Sequence, residues 1–186
     1  MATQTKAKLC ALAVISACCM TSLAMAEEST MSNDMMTDKI GRAKSAAPPS
    51  VSNDATIIVD GKEVVKGTNG WTCMPETMPG DNAPICADAV WLEMMGALTS
   101  KADYKPTRIG ISYMLQGDAG GGVSNSDPYH ASPKEAADYV ETGPHMMIIV
   151  PKEMLTGLTD DPSKGGPYVM WKDTPYAHIM IPVADK

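Results

Sequence analysis

Cys73 and Cys86 constrain this chain more than any other two residues, because they are the cysteines that remain once the first 26 residues are set aside. The 12 residues between them include Pro75, Pro79, Gly80 and Pro84, so the stretch is a loop that a covalent bridge can close. Closing a loop of this size restricts the unfolded chain by on the order of 3 kcal/mol in the chain-entropy picture. There is no C-x-x-C motif and no second cysteine pair, so a structural disulfide Cys73–Cys86 is expected in preference to a zinc or redox centre.

The first 26 residues are set aside on their pattern. Lys6 and Lys8 precede an apolar run from Leu9 to about Leu23, and Ala24-Met25-Ala26 stands just before Glu27-Glu28, the arrangement of a secretory signal peptide. The run is shorter than the roughly 20 residues a spanning helix needs. Ile15-Ser16-Ala17-Cys18 also resembles a lipobox, which leaves two products open: a free protein beginning at Glu27, and one lipidated at Cys18 and anchored to the outer membrane. Both are exported, and the expected location is periplasmic or secreted, where paired thiols oxidise.

Charge narrows the partners. The whole chain carries a net charge of −7, and without Lys6 and Lys8 it has 13 basic residues against 22 acidic ones, a net of −9. So acidic a protein does not suit the phosphate backbone of nucleic acid or an anionic lipid surface, and membrane association is expected only through lipidation at Cys18.

Residues 27–54 are polar, small and proline-containing, as in "SAAPPSVSND", and are read as a flexible arm or linker. Residues 55–186 have the length of one domain. Asp60-Gly61 between two β-rich runs signals a hairpin, and Val90, Met94 and Leu98 in "DAVWLEMMGALTSK" recur every four residues, a helix with Asp88 as its cap. "IGISYML" reads as a buried strand, and "HMMIIV", apolar on both faces, as a central one. In "SPKEAADYVETG", Ser132, Pro133, Glu135 and Gly143 have the positions of a capped helix with a glycine stop. "KEMLTGL" is a short helix, and "YVMWK" and "YAHIMIPV" are the last two strands, paired as a hairpin. The order predicts a single α+β domain with a mixed or mainly antiparallel sheet and two to three helices.

The chain has 16 methionines and no phenylalanine. Thioether side chains fill irregular gaps, so a methionine-built core is the plain reading. In "YAHIMIPV", Ala177, Ile179, Ile181 and Val183 form one uniformly apolar face, expected to point into the core, which leaves His178 and Met180 on the less buried side. "GPHMMIIVP" repeats the spacing with His145 and Met147. Were these two strands neighbours in suitable register, His145, Met147, His178 and Met180 would converge as a ligand set suited to soft Cu(I) or Ag(I), with copper the implied cofactor.

The glycine-rich loop "QGDAGGGVSNSDPYHA" is the other candidate, since long irregular loops on a rigid scaffold carry binding residues. Asp118, Ser124, Asn125, Asp127 and His130 supply its polar groups, but no phosphate-binding G-x-x-x-x-G-K-[ST] pattern accompanies them. "GISYM" opens like a nucleophile elbow, yet Met114 replaces the second glycine, so a hydrolase triad of Ser112, His145 and Asp118 rests on spacing alone.

The segments "GWTC", "IGISYMLQGDAG", "GPHMMIIVP" and "GGPYVMWKDTPYAHIM" together resemble a group of uncharacterised exported proteins of Gram-negative bacteria, over about Gly70 to Val183. The resemblance implies export and one small domain and carries no catalytic residue. The expected role is a non-enzymatic binding or interaction protein for a small ligand or a periplasmic protein, acting through the 116–131 loop and the adjoining sheet edge. Soft-metal binding and serine hydrolysis are the alternatives.

Overall fold

The computed structural model describes residues 18–184, with side chains from residue 32 onward. The leader reading therefore lies outside the described residues over 1–17. The described residues fall into two compact units, 18–37 and 38–184. The described part of the first is helical, the opening turns of α1 (Cys18–Ser45). The second holds the sheet.

Ten strands follow α1 and the single turn α2 (Pro49–Ser52). Asp60 and Gly61 both take positive φ, 50° and 73°, and turn β1 (Thr56–Val59) into β2 (Lys62–Val65) as the local residues demand. β3 (Thr72–Met74) lies parallel to β1 and antiparallel to β4 (Ile85–Ala87), with Cys73 directly opposite Cys86. The disulfide joins that pair, closing the base of the β3–β4 loop. Next come α3 (Ala89–Ser100), β5 (Gly110–Met114), the short β6 (Val123–Ser124) and β7 (Tyr139–Val140), then β8 (His145–Ile149), β9 (Tyr168–Met170) and β10 (His178–Pro182). The main sheet has the order β2-β1-β3-β4-β5-β8-β10-β9, antiparallel except at β1–β3, and β6 with β7 makes a second, two-stranded one. This is a small α+β domain with a mixed, mainly antiparallel sheet. β8 is interior to it, as its two apolar faces require, and β9 and β10 pair as a hairpin.

One face of the sheet packs against α3. Asp88 caps this helix by accepting from the Trp91 amide at 2.8 Å, and its other oxygen accepts from the Ile111 amide at 2.8 Å, tying the helix start to β5. Gly110 makes room for the contact, since a Cβ there would lie 2.8 Å from Val90 Cγ1. The opposite face carries the disulfide, Ile57, Val59 and the end of α1.

Three sequence readings are corrected. Residues 38–54 are no loose arm: Ala43 and Ala46 are fully buried on the disulfide face, and the Leu115 amide donates to the Ala46 carbonyl at 3.0 Å. Alanines are small enough to bring a helix backbone close to the sheet, an apolar contact that their low bulk hides in sequence.

The helix expected over 132–143 shrinks to one 3-10 turn, Pro133–Glu135, and Tyr139–Val140 turns extended to pair with β6. Ser132 makes no capping bond, whereas Asp138 accepts from Ser124 Oγ and the Ser126 amide, each at 2.8 Å. Tertiary hydrogen bonds outweigh the local capping pattern.

The faces of β10 are also reversed: His178 and Met180 are 1% and 2% exposed, Ile179 and Ile181 only half-buried, and Val183 is exposed. α3 and the loop from β5 to β8 cover the histidine side, and apolar character alone did not say which side they would cover.

Candidate functional site

The buried face of the sheet is built in level rows. One runs Ala87, Ser112, Met147, Met180, Tyr168, each directly opposite the next on the neighbouring strand. A second places Met114 opposite His145. In a third, Ile149 pairs with Gly110 on β5, the β8–β10 register extended by one step places His178 beside Ile149, and His178 pairs with Met170 on β9. Met147 and Met180 thus sit between the two histidines, which stand four positions, or about 13 Å, apart along the strands.

Over these rows lies a cavity of about 380 Å³, lined also by α3 and the segment after β5. Seven methionines line it: Met78, Met94, Met95, Met114, Met147, Met170 and Met180. His145 and His178, with Trp91 and Trp171, complete the polarisable part of the wall.

His178 is the pivot of this wall. Its Nδ1 lies 2.9 Å from the Tyr176 carbonyl, and that bond places the ring proton on Nδ1. The distal Nε2 is then a lone pair directed away from its own strand, and it is buried with no hydrogen-bond partner. Trp91 and Trp171 stand at right angles to the ring, their centroids 5.2 and 5.1 Å away. Burial pulls the imidazole pKa down to about 4, the Tyr176 carbonyl working against that and His145 adding to it. The ring is neutral at physiological pH. His145 repeats the arrangement, with Nδ1 2.7 Å from the Gly143 carbonyl.

Trp171 holds a left-handed backbone conformation, φ 54°, uncommon for a bulky residue. Its amide donates to the Asn125 carbonyl at 2.8 Å and its indole Nε1 to the Ser124 carbonyl at 3.0 Å. These bonds fix the indole against His178.

Of the residues singled out in the sequence, Met147, Met180 and His178 lie together on the cavity floor, and His145 lines the cavity farther along the same face. Asp118 also lines it, accepting from the Thr142 amide at 2.5 Å. The other loop residues shape the loop or fasten it to neighbouring segments. Ser124 donates to Asp138, Asn125 donates to the Asp160 carbonyl, Asp127 accepts from the Tyr129 amide and His130 from the Ser132 amide.

Ser112 is fully buried and its Oγ has no partner, so no base engages it as a nucleophile. Trp91, Met94, Met114, Met170 and Trp171 line the cavity but were not among the site residues expected from the sequence. Their signal was present in the methionine content and in the aromatic residues flanking "LEMM" and "YVM".

Comparison with known proteins finds no matching family model, no matching curated protein and no matching solved structure.

Proposed function

We propose that this chain is an exported, non-enzymatic binding protein whose ligand enters the methionine-lined cavity. The observation that carries the reading is the wall itself: about 380 Å³ lined by thioethers, two indoles and two imidazoles, one of which leaves a buried nitrogen unpartnered. Flexible apolar walls with few polar groups are what small-ligand sites are made of. A disulfide favours an oxidising compartment, and no helix among the described residues is long and apolar enough to cross a membrane.

The loop contributes to the lining through Asp118, Gly121, Val123 and Tyr129, while Ser124, Asn125, Asp127 and His130 make hydrogen bonds that shape it or fasten it to neighbouring segments. Hydrolysis fits poorly because Ser112 lacks a base within reach.

The test is titration with N-phenylnaphthylamine, a neutral apolar fluorophore. One saturable site is expected, with quenching of the tryptophan emission, since Trp91 and Trp171 both face the cavity. Met95→Trp, at the half-buried rim, narrows the mouth and is expected to weaken uptake by about tenfold. Uptake that neither saturates nor responds to Met95→Trp would sink the proposal.

A further inference from the structure

We propose that the floor of this cavity binds a soft monovalent cation, Cu(I) or Ag(I), through Nε2 of His178 and the thioethers of Met147, Met170 and Met180. The inference rests on the cavity being a ligand site, and adds the chemistry of the ligand.

The geometry points there from three directions. Nε2 of His178 is a buried lone pair without a partner, on a ring whose other nitrogen is held by the Tyr176 carbonyl. That is the outer-shell bond by which ligating imidazoles are oriented and kept in the right tautomer. Three sulfurs surround it by register: Met170 is directly opposite on β9, Met180 is two residues along the same face, and Met147 is directly opposite Met180 on β8. An i, i+2 step on one strand face is about 7 Å, within the span that two long side chains bridge around one ion. Methionine has three rotatable bonds beyond Cα, so the sulfurs can close on an ion smaller than the cavity.

The donor set selects the ion. Thioether and imidazole suit Cu(I) and Ag(I), whereas Ca²⁺ and Mg²⁺ require oxygen ligands. Among the described residues no three His, Cys, Asp or Glu side chains come together to hold a metal, so zinc has no comparable set here. The indoles of Trp91 and Trp171 pack at right angles to the imidazole and fix its ring plane in the wall.

Access is provided by sulfur too. Met78, in the disulfide-closed loop, is 58% exposed and also lines the cavity, and half-buried Met95 stands at the rim. These thioethers lead from solvent to the floor, and the Asp118 carboxylate on the same wall is engaged by the Thr142 amide. His145 is outside the proposed set, because its four-position offset from His178 puts it at the other end of the face.

The test uses the full oxidised protein, titrated with Ag(I) in chloride-free buffer and, anaerobically, with Cu(I) against bicinchoninate. Methionine ε-methyl NMR shifts report which sulfurs respond. Wild type is expected to bind one ion, with the shifts concentrated at Met147, Met170 and Met180. Met147→Leu/Met180→Leu conserves volume and removes sulfur, and should weaken binding by about tenfold or more while N-phenylnaphthylamine uptake persists. Met170→Leu is the second variant if the double one does not fold, and Met154→Leu, exposed and outside the cavity lining, should stay within about twofold of wild type.

The assignment is overturned if the leucine variants bind Ag(I) as wild type does, or if the shifts fall only on other methionines. If wild type takes up the fluorophore and no Ag(I), the metal assignment fails and the cavity reading stands. If it takes up neither, both fail.

Discussion

His178 packs between two indoles with one ring nitrogen satisfied and the other bare, and its protonation couples to folding. The folded protein holds its pKa near 4, below the ordinary 6.5. Between those values the unfolded chain takes up a proton that the folded one refuses. The contribution is therefore complete above pH 6.5 and is lost as pH falls toward 4, by roughly 3 kcal/mol in all. Urea unfolding of wild type and His178→Gln at pH 7 and pH 4.5 checks this: wild type should lose more stability on acidification than the variant. Equal losses would show that this imidazole is not excluded from water. The residue was visible in the sequence as half of a His-x-Met pair. Its burial was not, because alternation separates two faces without saying which one another element covers.

The junction of α3 with β5 depends on one absent methyl group. A Cβ at Gly110 would lie 2.8 Å from Val90 Cγ1 and 3.1 Å from the Trp91 amide nitrogen. Gly110→Ala should cost about 1–3 kcal/mol by thermal or urea unfolding, and Val90→Ala in the same chain should recover part of it. A fully additive double variant would mean that the two residues do not compete for the same space. Where local geometry decides, the elements were legible: Asp60-Gly61 turns where φ must be positive, and Asp88 caps where an orphan amide needs an acceptor. They were illegible where a distant group intervened. Ser132, Pro133 and Glu135 spell a capping box, but Asp138 is drawn to Ser124 and Ser126, and the helix gives way to a strand.

For the molecule as a whole, the disulfide and the expected export stand together, since a bridge between two cysteines persists best where thiols are oxidised. Intact-mass measurement of protein recovered from its native host, with and without alkylation, tests both. The expected species begins at Glu27, or carries lipid at Cys18, and Cys73 and Cys86 resist alkylation until reduced. An intact leader with both thiols reactive would contradict the proposed location.

Residue order alone was enough for the paired cysteines, the interior strand "HMMIIV", the terminal hairpin and the α+β class, because each follows from turn chemistry, periodicity or the number of available partners. Tertiary structure alone decided that the alanines after Asp38 pack on the disulfide face, and that histidines and methionines line the covered side of β8 and β10. Burial is a relation between elements far apart in the chain, and no local pattern carries it.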